Sequence, residues 1–319
     1  MVEIKINNNQ SGVRIDKFLL SKYTKMRIIN IQKFIKKKEI KVNSKKVNSD
    51  YILQSGDIIV FSTFVETILN NPIDRNEIDK FTSNKVDEKY NSLITDNIIY
   101  EDDNLLVINK QYGLPVQGGT GIKVSIDKIL KNLNTKDTNL KLVHRLDRDT
   151  TGVLLIAKNF ETANKLTKMF KNKEHIKKEY LLFVNGEMKN KNGVINYPLL
   201  KKYENNVEKV YVDKTNGKEA ITKYEVLFYS KKHNISLVRA EILTGRTHQI
   251  RVHFKEIGHS VVGDFKYGKN NEVSNKLQLH SCRTSLKLFG KNYTFVADLP
   301  SHMIEVCKMC SVDVNKILS

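Results

Sequence analysis

Cysteine is scarce: the 319 residues hold only Cys282, Cys307 and Cys310. Three thiols exclude a disulfide-stapled scaffold and fit a reducing compartment, so a cytoplasmic location is expected. Cys307-Lys308-Met309-Cys310 is a lone CxxC, and a zinc site needs two more ligands. Only His302 lies near in sequence, so the pair is expected on one face of a C-terminal helix, with no metal bound. No stretch approaches eighteen consecutive apolar residues, and residues 1–7 carry no apolar core of signal-peptide length. A membrane span or leader is therefore not expected. There is no internal repeat and no regular strand–helix–strand alternation, which argues for an α+β class with a largely antiparallel sheet. Acidic residues are short as well: 35 Asp+Glu stand against 54 Lys+Arg, a formal net charge of +19.

That excess favours a polyanionic partner through phosphate contacts and counterion release. A composition rich in Lys, Asn and Ile also inflates basic charge with no partner involved, so placement carries more than the sum. The length allows one large domain and one small one. Residues 1–65 hold 13 Lys+Arg and 5 Asp+Glu. Ile15, Phe18 and Leu19 recur at helical spacing, as do Ile28, Ile31 and Ile35. Lys33, Lys36, Lys37 and Lys38 load the end of the second helix, where phosphate contact is expected. Short strands are predicted at 40–42 and 58–61. Residues 66–97 reverse the balance, with 4 Lys+Arg, 7 Asp+Glu and Pro72, and read as a linker. Residues 98–319 form the larger unit. Strands are expected at 105–109, 153–157, 181–184 and 237–243, and a loop through Gly113, Pro115, Gly118, Gly119 and Gly121. Two helices are predicted as well, one carrying Ala163, Leu166 and Phe170, the other Ile250, Phe254 and Ile257.

Chemistry concentrates in His144-Arg145-Leu146-Asp147-Arg148-Asp149-Thr150-Thr151-Gly152, directly before the apolar run 153–157. One carboxylate, Asp147, stands among Arg145, Arg148 and His144. Neighbouring positive charge keeps a carboxylate ionised, which suits a nucleophile or general base better than a proton donor. An Asp in such a turn can also serve as a helix N-cap or Asx-turn, a job that Asp149 or Thr150 can fill. A second string, 243–253, contains Arg246, Thr247, His248 and Arg251. Its basic groups and backbone amides at a strand-to-helix turn suit phosphate binding.

The nine-residue string resembles the active-site motif of the RNA pseudouridine synthases, in the branch typified by the ribosomal large-subunit synthases, with Thr151 where Ser is common. The resemblance runs over nearly the whole chain, including Asn109-Lys110, Gly118-Gly119, Pro198-Leu199-Leu200-Lys201, Gly263-Asp264 and Leu279-His280. It implies isomerisation of uridine to pseudouridine in large-subunit ribosomal RNA without a cofactor. The glycosidic bond breaks, the uracil turns in place, and C5 joins the sugar. Asp147 matches the catalytic carboxylate. Arg145 matches the arginine that fills the gap left by the flipped uridine, and Arg148 is expected near the RNA with it. Tyr180 matches the tyrosine whose ring packs on uracil and whose hydroxyl can help remove the C5 proton, with Lys178 beside it near the RNA. Arg251 matches the arginine that pairs with the aspartate, and a buried bidentate pair is expected. Gly263-Asp264 and Tyr267-Gly268 are expected to be structural. Residues 14–19, 41–43 and Gly56-Asp57 resemble an alpha-L RNA-binding domain. Gln111 stands where Pro is usual and Gln117 where His is usual, which alters a loop and leaves the catalytic set intact. A monomer is expected.

Three rivals are weaker. A kinase catalytic loop has a different residue order, and no phosphate-covering GxGxxG precedes this one. A glycoside hydrolase wants a paired acid kept protonated, which the arginines oppose. A non-catalytic RNA-binding assembly factor needs only the basic N-terminal unit, yet Asp147, Tyr180 and Arg251 are all present.

Overall fold

The helical spacing of Ile15 and Leu19 produces α1 (Ile15–Lys22), and that of Ile31 and Ile35 produces α2 (Ile28–Lys36). In a computed structural model of the chain, all residues are described except 25, 27, 71–87, 120, 121, 136, 137, 173, 174, 205, 206, 269–271 and 319. The chain divides into two compact units, 1–84 and 85–319. In the first, β1 (Val2–Lys5), β2 (Lys41–Val42) and β3 (Ile58–Phe61) form an antiparallel sheet with β3 in the centre. The helices bury Ile15, Leu19, Ile31 and Ile35 against Ile4, Ile59 and Phe61. Asn43 and Asp57, from two separate sequence signals, meet here: the Asn43 amide donates to Asp57 at 2.8 Å, and the Gln54 N–H donates to the same carboxylate at 2.9 Å.

The linker expected from residue 66 does not start there. α3 (Thr63–Asn70) continues the first unit and buries Val65, Ile68 and Leu69 in its core, an amphipathic pattern that the acidic composition masked. Pro72 and the middle of that segment lie outside the described residues, as does Gly121.

The second unit opens with α4 (Ser92–Thr95), β4 (Ile98–Glu101), β5 (Leu105–Lys110), α5 (Ile126–Leu133) and β6 (Lys141–Leu142). Then come β7 (Thr151–Ala157), α6 (Phe160–Asn172), β8 (Ile176–Asn185), β9 (Asn192–Asn196), β10 (Leu199–Glu204) and β11 (Val207–Val212). β12 (Ile221–Ser230), β13 (Ile235–Ile242), α7 (Gln249–Glu256), β14 (Leu279–Leu288), β15 (Lys291–Val296), α8 (Ser301–Met309) and α9 (Val314–Leu318) complete it. Among the described residues the main sheet runs β4-β5-β7-β14-β8-β13-β12-β9, with β15 beside β14 and β6 beside β7. Among the described residues only β7 and β14 pair in parallel. The mixed, largely antiparallel α+β class is the one the sequence predicted.

Side-chain alternation accounts for the continuous apolar runs. Leu154 and Ile156 face a core shared with Ile126, Ile129 and Phe254, while Val153 and Leu155 face Ala163, Leu166 and Met169 of α6. Both faces of the sheet are covered, so the polar half of the usual strand pattern is missing and every residue of β7 is buried. Gly152 makes the parallel contact possible: it sits at φ +107°, and a Cβ there would come within 2.2 Å of the Ser281 carbonyl oxygen. Cys307 on α8 and Cys310 just beyond it lie in an apolar cluster with Phe183 and Met303, and burial pushes the Cys307 thiol up to about 11. No group of three His, Cys, Asp or Glu able to hold a metal occurs among the described residues, nor is any helix there long and apolar enough to cross a membrane.

Two histidines are built into this sheet as neutral rings. His280 donates from Nε2 to the Ala297 carbonyl at 3.0 Å and accepts from the Thr151 hydroxyl at Nδ1, 2.8 Å away. His144 accepts the Leu155 N–H at 2.8 Å and stacks on Phe170 at 4.4 Å. Burial lowers His280 to about 4 and His144 to about 3. Below the unfolded value near 6.5, the unfolded chain takes up protons that these folded rings refuse. Stability therefore falls with falling pH, by about 1.4 kcal/mol per pH unit for each ring. The loss of unfolding free energy between pH 7 and pH 5 is expected to be about 2 kcal/mol smaller in His280→Gln than in the wild type. Equal losses in denaturant melts of the two proteins would show that His280 titrates normally.

Candidate active site

Asp147 lies in the turn between β6 and β7, closed by the Thr150 N–H on the Asp147 carbonyl at 3.2 Å. The neighbours that surround it in sequence do not surround it in space. Arg148 turns outward to pair with Asp149 at 2.9 Å, Arg145 is exposed, and His144 points into the sheet. The groups that face Asp147 come from a segment about a hundred residues later. Arg251 Nη1 is 3.4 Å from Asp147 Oδ2, and His248 Nε2 is 3.8 Å from the same oxygen.

Arg251 does not form the expected bidentate pair with Asp147. Its Nε and Nη2 donate to Oδ2 and Oδ1 of Asp264, each at 2.7 Å, leaving Nη1 for Asp147. Asp264 wins because it is preset. It is fully buried, and the backbone N–H groups of Lys266 and Tyr267 donate to its Oδ1 at 3.0 and 3.1 Å. A guanidinium fork matches one carboxylate at a time. Burial works against the Arg251 charge, yet Asp264 and then Asp147 raise its affinity for the proton above the ordinary value. A surface position for Arg251, open from helical spacing alone, is ruled out by its 8% exposure.

Alternation along β8 puts Lys178 and Tyr180 on one face. Tyr180 is buried, and burial pushes its hydroxyl well above the ordinary value although Ser281 hydrogen-bonds to it. Lys178 Nζ lies 5.6 Å from the Phe170 ring, and burial lowers the ammonium to about 8. The turn before α7 is pinned by Gln249, whose Oε1 accepts from the Thr244 hydroxyl and the Arg246 N–H, and whose amide donates to Ile221 and Thr222. Arg246 Nε donates to the Glu219 carbonyl at 2.9 Å. His248, expected with Arg246 as a phosphate ligand, instead turns both ring nitrogens inward: Nδ1 is 2.6 Å from the Tyr267 hydroxyl. These groups line a cleft of about 310 Å³ that contains Arg145, Asp147, Lys178, Tyr180, Arg246, His248 and Arg251. Lys36, Lys37 and Lys38 belong to the first unit and are exposed there. Lys38 and Lys41 repel the Lys46 ammonium and hold it below its ordinary value, which marks a crowded cationic patch.

Residues 104–256 match the family model described as RNA pseudouridylate synthase. Ribosomal large subunit pseudouridine synthase C of Rickettsia felis is 38% identical over 95% of this chain and 98% of its own length. The chain belongs to the RNA pseudouridine synthases. The same-named protein of Vibrio vulnificus is 37% identical over 83% of this synthase and 79% of its own length. The solved structure of human RNA pseudouridylate synthase domain containing 4 superposes on it with a TM-score of 0.59 at 25% identity, covering 71% of this chain and 97% of that one.

Three features of the synthase site were not legible as functional from the sequence. Asp264 and Tyr267 read as structural; the signal available was that a buried arginine needs a carboxylate. Lys110, at the end of β5, is 1% exposed and donates to the carbonyls of Gln111, Leu114 and Arg148 at 2.8–2.9 Å. Burial pushes its ammonium down to about 7, while the three carbonyls hold its proton in place. It ties the glycine-bearing loop to the residue after Asp147. Gln111 keeps its carbonyl in that bond and adds a side-chain contact to Asn97 at 3.2 Å, so the departure from Pro leaves the anchor whole.

Proposed function

We propose that this synthase isomerises uridines in large-subunit ribosomal RNA, in the cytoplasm, as a monomer without metal or cofactor, using Asp147 as its essential carboxylate. One observation carries the assignment of Asp147: two motifs about a hundred residues apart converge in one cleft, with Arg251 reaching Asp147 from a base locked by Asp264. The names of the relatives support the choice of RNA, and the net charge of +19 supports a polyanion.

The target uridine must leave its stack, at a cost of a few kcal/mol in a duplex. Arg145, exposed at the mouth of the cleft, takes the vacated place by stacking on neighbouring bases. The Tyr180 ring packs on the face of the flipped uracil, and its hydroxyl, kept protonated by burial, lies there as a hydrogen-bonding group. Asp147 attacks the sugar or takes a proton from it, and both routes use the carboxylate that Arg251 faces at 3.4 Å. Arg148, Lys178 and Arg246 contact the RNA around the cleft. The first unit is an alpha-L type RNA-binding domain that meets phosphates through Lys36, Lys37 and Lys38.

Tritium release from large-subunit ribosomal RNA labelled at uracil C5 tests the reaction and its substrate together. Release that depends on added protein supports the proposal; an inert protein on every large-subunit RNA would sink it. The basic patch has its own measure. Replacing Lys36, Lys37 and Lys38 with Ala is expected to weaken RNA binding and to flatten its log–log salt slope by about 2–3. An unchanged slope would place RNA contact elsewhere.

A further inference from the structure

His248 begins α7 in the left-handed region, at φ +53° and ψ +22°. A non-glycine residue held there costs roughly 1–3 kcal/mol and persists only where its surroundings dictate it. What the strained backbone achieves is a ring with one nitrogen hydrogen-bonded and the other aimed at Asp147. Nδ1 meets the Tyr267 hydroxyl at 2.6 Å, and Nε2 faces Asp147 Oδ2 at 3.8 Å. The Tyr267 oxygen also accepts the Val210 N–H at 3.1 Å. Its ring lies 5.1 Å under the Arg251 guanidinium.

Proton counting settles the arrangement. Burial raises the Tyr267 hydroxyl to about 12, so it keeps its proton at neutral pH. With Val210 donating to its oxygen, that proton has one acceptor among the described residues, His248 Nδ1. An imidazole that accepts at Nδ1 carries its own proton on Nε2, the nitrogen facing the carboxylate. The other tautomer strands the Tyr267 proton and sets a lone pair against a carboxylate oxygen. Burial, opposed by Asp147 and reinforced by Arg251, lowers the affinity of His248 for a second proton, so the ring is neutral.

We infer that Tyr267 and His248 are a positioning pair for Asp147: the tyrosine locks the histidine tautomer, and Nε2–H steers Oδ2 so that Oδ1 is left for the substrate. The inference rests on the proposed role of Asp147. Active-site hydrogen bonds that are long in the free enzyme tighten with substrate bound, and a shift of about 1 Å brings this one to hydrogen-bonding distance. A phosphate-binding role for His248 would act on KM; positioning acts on kcat.

Two measurements test it. In the free, 15N-histidine-labelled protein, imidazole nitrogen shifts, assigned by comparison with His248→Gln, are expected to show a proton on Nε2 and none on Nδ1. In Tyr267→Phe, which keeps the ring under Arg251, the two tautomers are expected to mix. A wild-type ring protonated at Nδ1, or at both nitrogens, overturns the inference whether or not the enzyme turns over. On ribosomal RNA, Tyr267→Phe and His248→Ala are expected to lower kcat by about 10- to 100-fold at nearly constant KM. His248→Gln, whose amide N–H can reach the Nε2 position, is expected to recover part of that loss. If the wild type releases tritium and both variants match its kcat, or if the loss lies in KM, the positioning role is wrong while the proposed reaction stands. If the wild type is inert, the proposed reaction fails and the tautomer measurement still decides the pair.

Discussion

Asp147→Asn is expected to abolish tritium release from uracil C5 while leaving RNA affinity within about twofold of the wild type. The amide nearly matches the carboxylate in shape, so the turn between β6 and β7 keeps its backbone bond and the cleft keeps its lining. What it loses is the negative charge and the basicity on which either route at the sugar depends. Removing the central group of a catalytic set costs on the order of 10⁴-fold or more in kcat. Binding draws on many phosphate contacts spread over basic residues, and one exposed-facing oxygen contributes little to that sum. Single-turnover release and filter-binding on the same RNA separate the two quantities. Full turnover by the variant would end the assignment of Asp147, and a collapse of affinity would mean that it holds RNA.

Asp264→Asn should be the most damaging change to stability around the site. Asp264 supplies both short bonds to a buried arginine, while Asp147 supplies one contact at 3.4 Å. Without the carboxylate, a buried charge is left with its weaker partner, a defect worth about 3–5 kcal/mol. The thermal midpoint of the larger unit is expected to fall by roughly 10 °C. Turnover should fall as well, because Arg251 is then free to swing onto Asp147 and tie up both of its oxygens. Combining Arg251→Met with Asp264→Asn removes the orphaned charge, keeps an acceptor for the Lys266 and Tyr267 N–H groups, and should recover much of the stability without recovering turnover. Recovery of both would show that the Arg251–Asp264 pair serves the fold alone. A calorimetric scan beside the tritium assay distinguishes these outcomes.

The amino-acid sequence by itself determined which residues are available for chemistry and which class of fold could hold them. The string from His144 to Gly152 named Asp147, the apolar periodicities located α1, α2, α6 and α7 and six of the fifteen described strands, and the lack of alternation excluded a parallel α/β sheet. Those features are local, so a sequence displays them. Tertiary structure decided the partners. Asp147 meets Arg251 and His248 because α7 packs beside the turn that ends at β7, not because Arg145, Arg148 and His144 adjoin it in the chain. Arg251 is gripped by Asp264 because Lys266 and Tyr267 had already oriented that carboxylate. The helix at Thr63–Asn70 belongs to the first unit because three apolar side chains found a core there, against the acidic composition of its surroundings. Electrostatic partnership depends on distance and burial, and both are set by packing between segments far apart in sequence.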